Sequence, residues 1–152
     1  MNTDRIYFAD VTIDLPDNWA DMTEDLPEGS PYTLSRAFDG LGVLQFSVAY
    51  YKGGVEPDFD SDALESLLNE FFLAKGFGKP LGLVRWHDDA VMGLGAHCFL
   101  DEEYFRIWYV TDGMNIAFLT YTSLQAENQL TMEEANEAED IVKSIRFEKE
   151  PL

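Results

Sequence analysis

The chain has 152 residues, 46% of them hydrophobic and 14% aromatic, and its 29 Asp and Glu against 10 Lys and Arg set a formal net charge of −19. Such a charge argues against nucleic acid and anionic membrane surfaces, which are held largely through Lys and Arg, and favours a protein partner with a basic surface. The aromatic content separates the chain from acidic disordered segments, and its length suits one domain spanning residues 1–152.

The opening residues lack the apolar core of a signal peptide, and no run approaches the roughly 20 apolar residues of a membrane span. A single cysteine, Cys98, can form no internal disulfide. A cytoplasmic location is the expectation. Val11–Asp14 alternates apolar and polar residues and stops at Pro16-Asp17-Asn18, a turn signal. Thr33–Phe38 and Val43–Tyr51 read as strands flanking a hairpin loop at Asp39-Gly40-Leu41-Gly42, and Val55–Asp62 is irregular. Leu64, Leu67, Leu68, Phe71 and Phe72 then recur at helical spacing, with Asp62 and Glu65 as the start and Gly76 as the stop.

Four strands follow, Leu83–His87, Val91–Leu100, Tyr104–Thr111 and Asn115–Thr122. Their connections are Asp88-Asp89, Asp101-Glu102-Glu103 and Asp112-Gly113, the last a type I′ hairpin signal. A second helix opens on a capping box, Thr131 with Glu134. It buries Ala135, Ala138 and Ile141 or Val142, and turns Glu133, Glu134, Glu137, Glu139 and Asp140 outward. A short strand, Ser144–Phe147, closes the chain. This order predicts an α+β fold: a meander-rich antiparallel β-sheet with two helices packed on it.

The opening Val11-Thr12-Ile13-Asp14-Leu15-Pro16-Asp17-Asn18-Trp19 resembles the strand and Pro-x-x-Trp start of PsbP-like and Mog-type proteins. The stretch Glu137–Phe147 is similar to their closing helix running into a Ser-Ile-x-Phe strand, and the aromatic hairpin Tyr104–Tyr121 suits the same pattern. The resemblance covers nearly the whole chain in element order. It implies a noncatalytic protein-binding role, as in members that bind photosystem subunits, the GTPase Ran or type VI secretion effectors. It carries over no functional residue.

Asp58, Asp60 and Asp62 imitate the opening of a calcium loop, but Ala63 and Asn69 stand where its Gly and Glu belong, so an acidic helix start is the expected reading. His87, His97 and Cys98 are the only candidates for a thiolate or a zinc site. Adjacent strand residues face opposite ways, so His97 cannot activate Cys98. Neither Gly76-Phe77-Gly78-Lys79 nor Gly93-Leu94-Gly95 fits a phosphate loop; the latter reads as close packing or a bulge within a strand. No catalytic residue, cofactor or metal ligand is predicted.

The aromatic hairpin is apolar on both faces, Phe105, Ile107 and Tyr109 on one and Tyr104, Arg106, Trp108 and Val110 on the other. If both faces are covered, the expected arrangement has the two helices on one and the N-terminal strands on the other. If the hairpin is exposed, Tyr104, Arg106, Trp108 and Tyr121 are the interface anchors, with Asp101, Glu102 and Glu103 supplying charge. The expected function is a non-enzymatic, acidic protein-binding module, in its concrete form a bacterial immunity-type inhibitor of a basic effector. One alternative is a type VI effector chaperone acting as a homodimer on a hydrophobic segment. The other is a small-ligand or metal-binding protein using Asp58, Asp60 and Asp62 or Cys98 and His87.

Overall fold

Nine strands and two α-helices make up the computed structural model, which describes residues 2–124 and 129–148, the side chains of 129–131 excepted. β1 (Thr3–Phe8) and β2 (Val11–Pro16) form a separate two-stranded hairpin. β3 (Trp19–Asp21), β4 (Tyr32–Arg36), β5 (Gly42–Ala49), β6 (Leu81–His87), β7 (Met92–Leu100), β8 (Glu103–Thr111) and β9 (Ile116–Ser123) form one antiparallel sheet. Its order is β3-β4-β5-β9-β8-β7-β6. α1 (Ser61–Lys75) links β5 to β6, and α2 (Gln129–Lys143) follows β9.

The helices lie on opposite faces of the sheet, which corrects the expectation that they share one. On α1, Leu64, Leu68 and Phe72 are buried against Leu94, Ala96, Cys98 and Ile107 of β7 and β8. On α2, Ala135, Ala138, Ile141 and Val142 are buried with Trp108, Leu119 and Tyr121 on the other face, where Phe8, Val11 and Ile13 of the β1–β2 hairpin join them. Strand alternation explains both cores: Tyr104, Trp108 and Val110 of β8 point one way and Ile107 the other. β5 buries Leu44 and Phe46 on one side, whereas the other carries half-exposed Val43 and Gln45 and exposed Ser47 and Ala49. That side of β5 is thus partly solvated.

Local chemistry sets the boundaries. The Asp60 carboxylate, and not Asp62, caps α1 by accepting from the Ala63 amide at 2.8 Å. Gly76 ends the helix in the left-handed region at φ 68°, with its own amide on the Leu73 carbonyl. The predicted strand at Ser144–Phe147 reduces to an isolated bridge between Arg146 and Thr12. Two glycines of β7 carry rings: a Cβ on Gly93 would lie 2.0 Å from the Trp86 ring, and one on Gly95 2.3 Å from Trp108. No helix among the described residues is long and apolar enough to cross a membrane.

Candidate functional site

The predicted aromatic anchors belong to the core. Tyr104, Trp108 and Tyr121 expose 1%, 0% and 0% of their surface, because α2 lies over them, so they present nothing to a partner. Their polar atoms are satisfied within the chain: Trp108 Nε1 donates to Glu139 Oε1 at 3.1 Å and the Tyr121 hydroxyl to Glu134 Oε1 at 2.8 Å. Arg106 is half-buried beside them, donating to the Tyr104 hydroxyl and to Asn136 Oδ1.

Glu134, predicted to cap α2 and face outward, is buried instead. Its carboxylate accepts from the amides of Leu41 and Gly42 and from Tyr121, tying α2 to the β4–β5 loop. α2 already includes Gln129, so Thr131 lies within the helix rather than before it, and its side chain falls outside the described residues. One turn on, Glu137 accepts from Arg36 Nη2 at 2.7 Å and from Trp19 Nε1 at 2.8 Å. Burial pushes the Glu137 carboxyl up, and the Arg36 and Trp19 bonds more than offset it, leaving it below the ordinary range.

A cleft of about 260 Å³ opens between α2 and β6–β8, lined by Gly82, Val84, His97, Arg106, Asn136 and Glu139. Burial first, then the Arg106 guanidinium, push the His97 imidazole below its ordinary value, against a smaller pull from Glu139. Glu139 and Arg106 stand 3.8 Å apart, so the cleft pairs its own charges. Cys98 faces α1 and is 1% exposed, and burial pushes its thiol up to about 11. His87 pairs with Met92, which leaves Cys98 six positions further along β7, roughly 20 Å at strand rise. The His87, His97 and Cys98 set therefore does not converge. Among the described residues no group of three or more His, Cys, Asp or Glu is placed to hold a metal ion, and Asp58-Phe59-Asp60 leads into the α1 cap.

Two of the three acidic turns of the meander do converge. In a meander, successive turns alternate between the ends of the sheet, so the β6–β7 and β8–β9 turns share one end and the β7–β8 turn lies at the other. Asp101 and Glu102 sit exposed at that other tip, Glu103 being the first residue of β8. At the shared end a cleft of about 270 Å³ is lined by His87, Asp88, Asp89, Met92, Thr111 and Asp112. Asp88 Oδ1 accepts from the amides of Ala90 and Val91, and Oδ2 from Arg146 at 2.8 Å. The Val91 and Ala90 amides, with Arg146 behind them, hold its carboxyl below the ordinary range. Asp112 caps its own turn through the Met114 and Asn115 amides. Met92 adds an apolar side chain to the lining, and Met114, in the same turn as Asp112, is 36% exposed.

This pairing of turns was open to sequence reasoning, since turn parity follows from strand order alone. The buried role of Glu134 was not, because nothing local marks a helix glutamate as the acceptor for a loop ninety residues earlier.

No family model matches the chain, and no curated protein matches it in sequence. Among solved structures it is similar to a protein of Bacteroides thetaiotaomicron VPI-5482, with a TM-score of 0.60 and 15% identity. The alignment covers 98% of this chain and 49% of that one, so the chain spans about half the length of its structural neighbour. At that identity the likeness shows a shared fold.

Proposed function

We propose that the chain is a non-enzymatic binding module for a basic protein, docked at the sheet end that carries the Asp88-Asp89 and Asp112 turns. The reading extends the resemblance to PsbP-like and Mog-type binding proteins, and its concrete form is an immunity-type inhibitor of a cationic effector. One observation carries it. Every arginine of the chain is turned to one of its own carboxylates, Arg5 to Asp14, Arg36 to Glu137, Arg85 to Glu65, Arg106 to Glu139 and Arg146 to Asp88. Half of the positive charge is thus tied to the chain's own carboxylates while the acidic turns face solvent. A lysine or arginine head entering the cleft at that end would meet the Asp88 and Asp112 carboxylates, each fixed by backbone amides, together with Asp89, and Met92 in the lining as apolar contact.

The test is capture of partners by the tagged chain from its own lysate at low and moderate salt, with Asp89→Lys and Glu102→Lys as variants. We expect a basic protein that is lost as salt rises, lost with Asp89→Lys and kept with Glu102→Lys. Retention that ignores both salt and Asp89→Lys sinks the reading. A chaperone function is favoured by a different observation, the exposure of Phe38 and Leu124 at 86% and 67% near the opposite end. A partner with a hydrophobic segment, held at moderate salt and released by Phe38→Asp, would select it.

A further inference from the structure

We propose that β6 is a self-association edge, at which a second copy of this chain adds its own β6 antiparallel and continues the sheet. β6 is the last strand of the seven-stranded sheet, and no strand of the described residues pairs with its outer edge. Open amides and carbonyls on such an edge are a template for another strand, and proteins usually shorten these edges or load them with charge. The opposite edge, β3, is cut to 3 residues. β6 runs for 7 residues and leaves Leu81 and Leu83 46% and 48% exposed. Its irregularity is confined to a bulge between Leu81 and Val84, where Gly82 lies against the His97 ring. From Val84 to His87 the register with β7 is regular.

Charge along the edge selects the partner. Between Glu70 and Asp88 the chain has no carboxylate; Lys75 and Lys79 fall in that stretch, with Arg85, which is paired to Glu65 of α1. β6 therefore begins two residues after Lys79 and ends at the Asp88-Asp89 turn. Antiparallel pairing about its middle sets the basic end of each copy against the acidic turn of the other, and the two-fold axis makes that contact twice. Parallel pairing would set like charge beside like. The charge of −19 on each copy opposes approach at long range. At physiological salt the Debye length is about 8 Å, so the contacts across the edge decide the outcome. One strand pair flanked by leucines is less than a standard interface, which makes the dimer reversible and weak. It would also cover one wall of the acidic cleft, so a second copy and a basic partner would compete.

The experiment is sedimentation velocity on the purified full chain at physiological salt, over a concentration series reaching about 1 mM, the weak limit for a small interface. It needs no basic partner and so is independent of that reading. We expect a concentration-dependent shift from monomer to dimer. Leu83→Lys, an exposed position, abolishes it. Lys79→Glu raises the dissociation constant about tenfold or more, and Lys79→Glu with Asp89→Lys returns it to within about threefold of the parent, as coupled charges require. Circular dichroism on each variant checks that the fold is kept. A monomer throughout the series, a dimer that survives Leu83→Lys, or a double variant no tighter than Lys79→Glu alone overturns the proposal.

Discussion

Glu134 has no exposed surface, and its two oxygens take hydrogen bonds from two loop amides and a buried phenol. A carboxylate in that position is tolerable only because each oxygen finds donors, with Arg36 3.8 Å away as a counter-charge. Removing it leaves the Tyr121 hydroxyl and the Leu41 and Gly42 amides without their acceptor in a closed site. Glu134→Ala should therefore cost about 3 kcal/mol in chemical denaturation, whereas Glu134→Gln, which keeps one acceptor oxygen, should cost clearly less. A loss under about 1 kcal/mol for the alanine variant would mean water replaces the carboxylate. The residue illustrates where sequence reading stops. The spacing Thr131–Glu134 fits a capping box, and the polar side chain fits an outer face. The donors that overrule both come from residues far away in the chain, which local pattern cannot register.

At the scale of elements, the turns separate what pattern can foretell from what it cannot. The helix stop at Gly76 and the strands β4 to β9 follow from glycine, periodicity and apolar alternation. The β1–β2 hairpin does not, because its turn is Ala9-Asp10, with Phe8 paired to Val11 and both turn residues in the left-handed region at φ 55° and 68°. The chain thus makes a tight turn of positive φ from a residue that disfavours it, while the predicted type I′ turn at Asp112-Gly113 is a longer loop, 112–115, with positive φ at Gly113 alone. Ala9 is 5% exposed and held by the core contacts of its neighbours. Left-handed backbone costs an L-residue with a Cβ about 1 kcal/mol that glycine does not incur. Ala9→Gly should accordingly stabilise the chain, by up to about 1 kcal/mol, against the usual penalty for glycine in folded structure. An unfolding midpoint that falls instead would show that the buried methyl outweighs the backbone strain.

On the scale of the whole molecule, the charge acts against the fold that carries it. The internal ion pairs are mostly half-exposed, as at Arg5–Asp14 and Arg85–Glu65, and pairs of that kind contribute between nothing and about 1 kcal/mol. The remaining carboxylates, concentrated in turns and on α2, repel one another across a small surface, and unfolding relieves that repulsion by spreading them out. Salt screens both contributions, but with different weight: each attractive pair is short and partly shielded by protein, whereas the repulsion is a sum over many separations near or beyond the Debye length. Repulsion should therefore lose more. Raising sodium chloride from about 0.01 M to about 0.3 M, which shortens the Debye length from about 30 Å to under about 8 Å, should raise the melting temperature by about 3 °C, equivalent to about 1 kcal/mol for a chain of this size. Chloride is the right anion because sulfate would strengthen apolar burial by exclusion and mimic the effect. The rise should level off once screening is complete. A melting temperature that falls over the same range would place the balance with the arginine–carboxylate pairs, and would make them a source of stability rather than only a way of leaving the acidic turns uncovered.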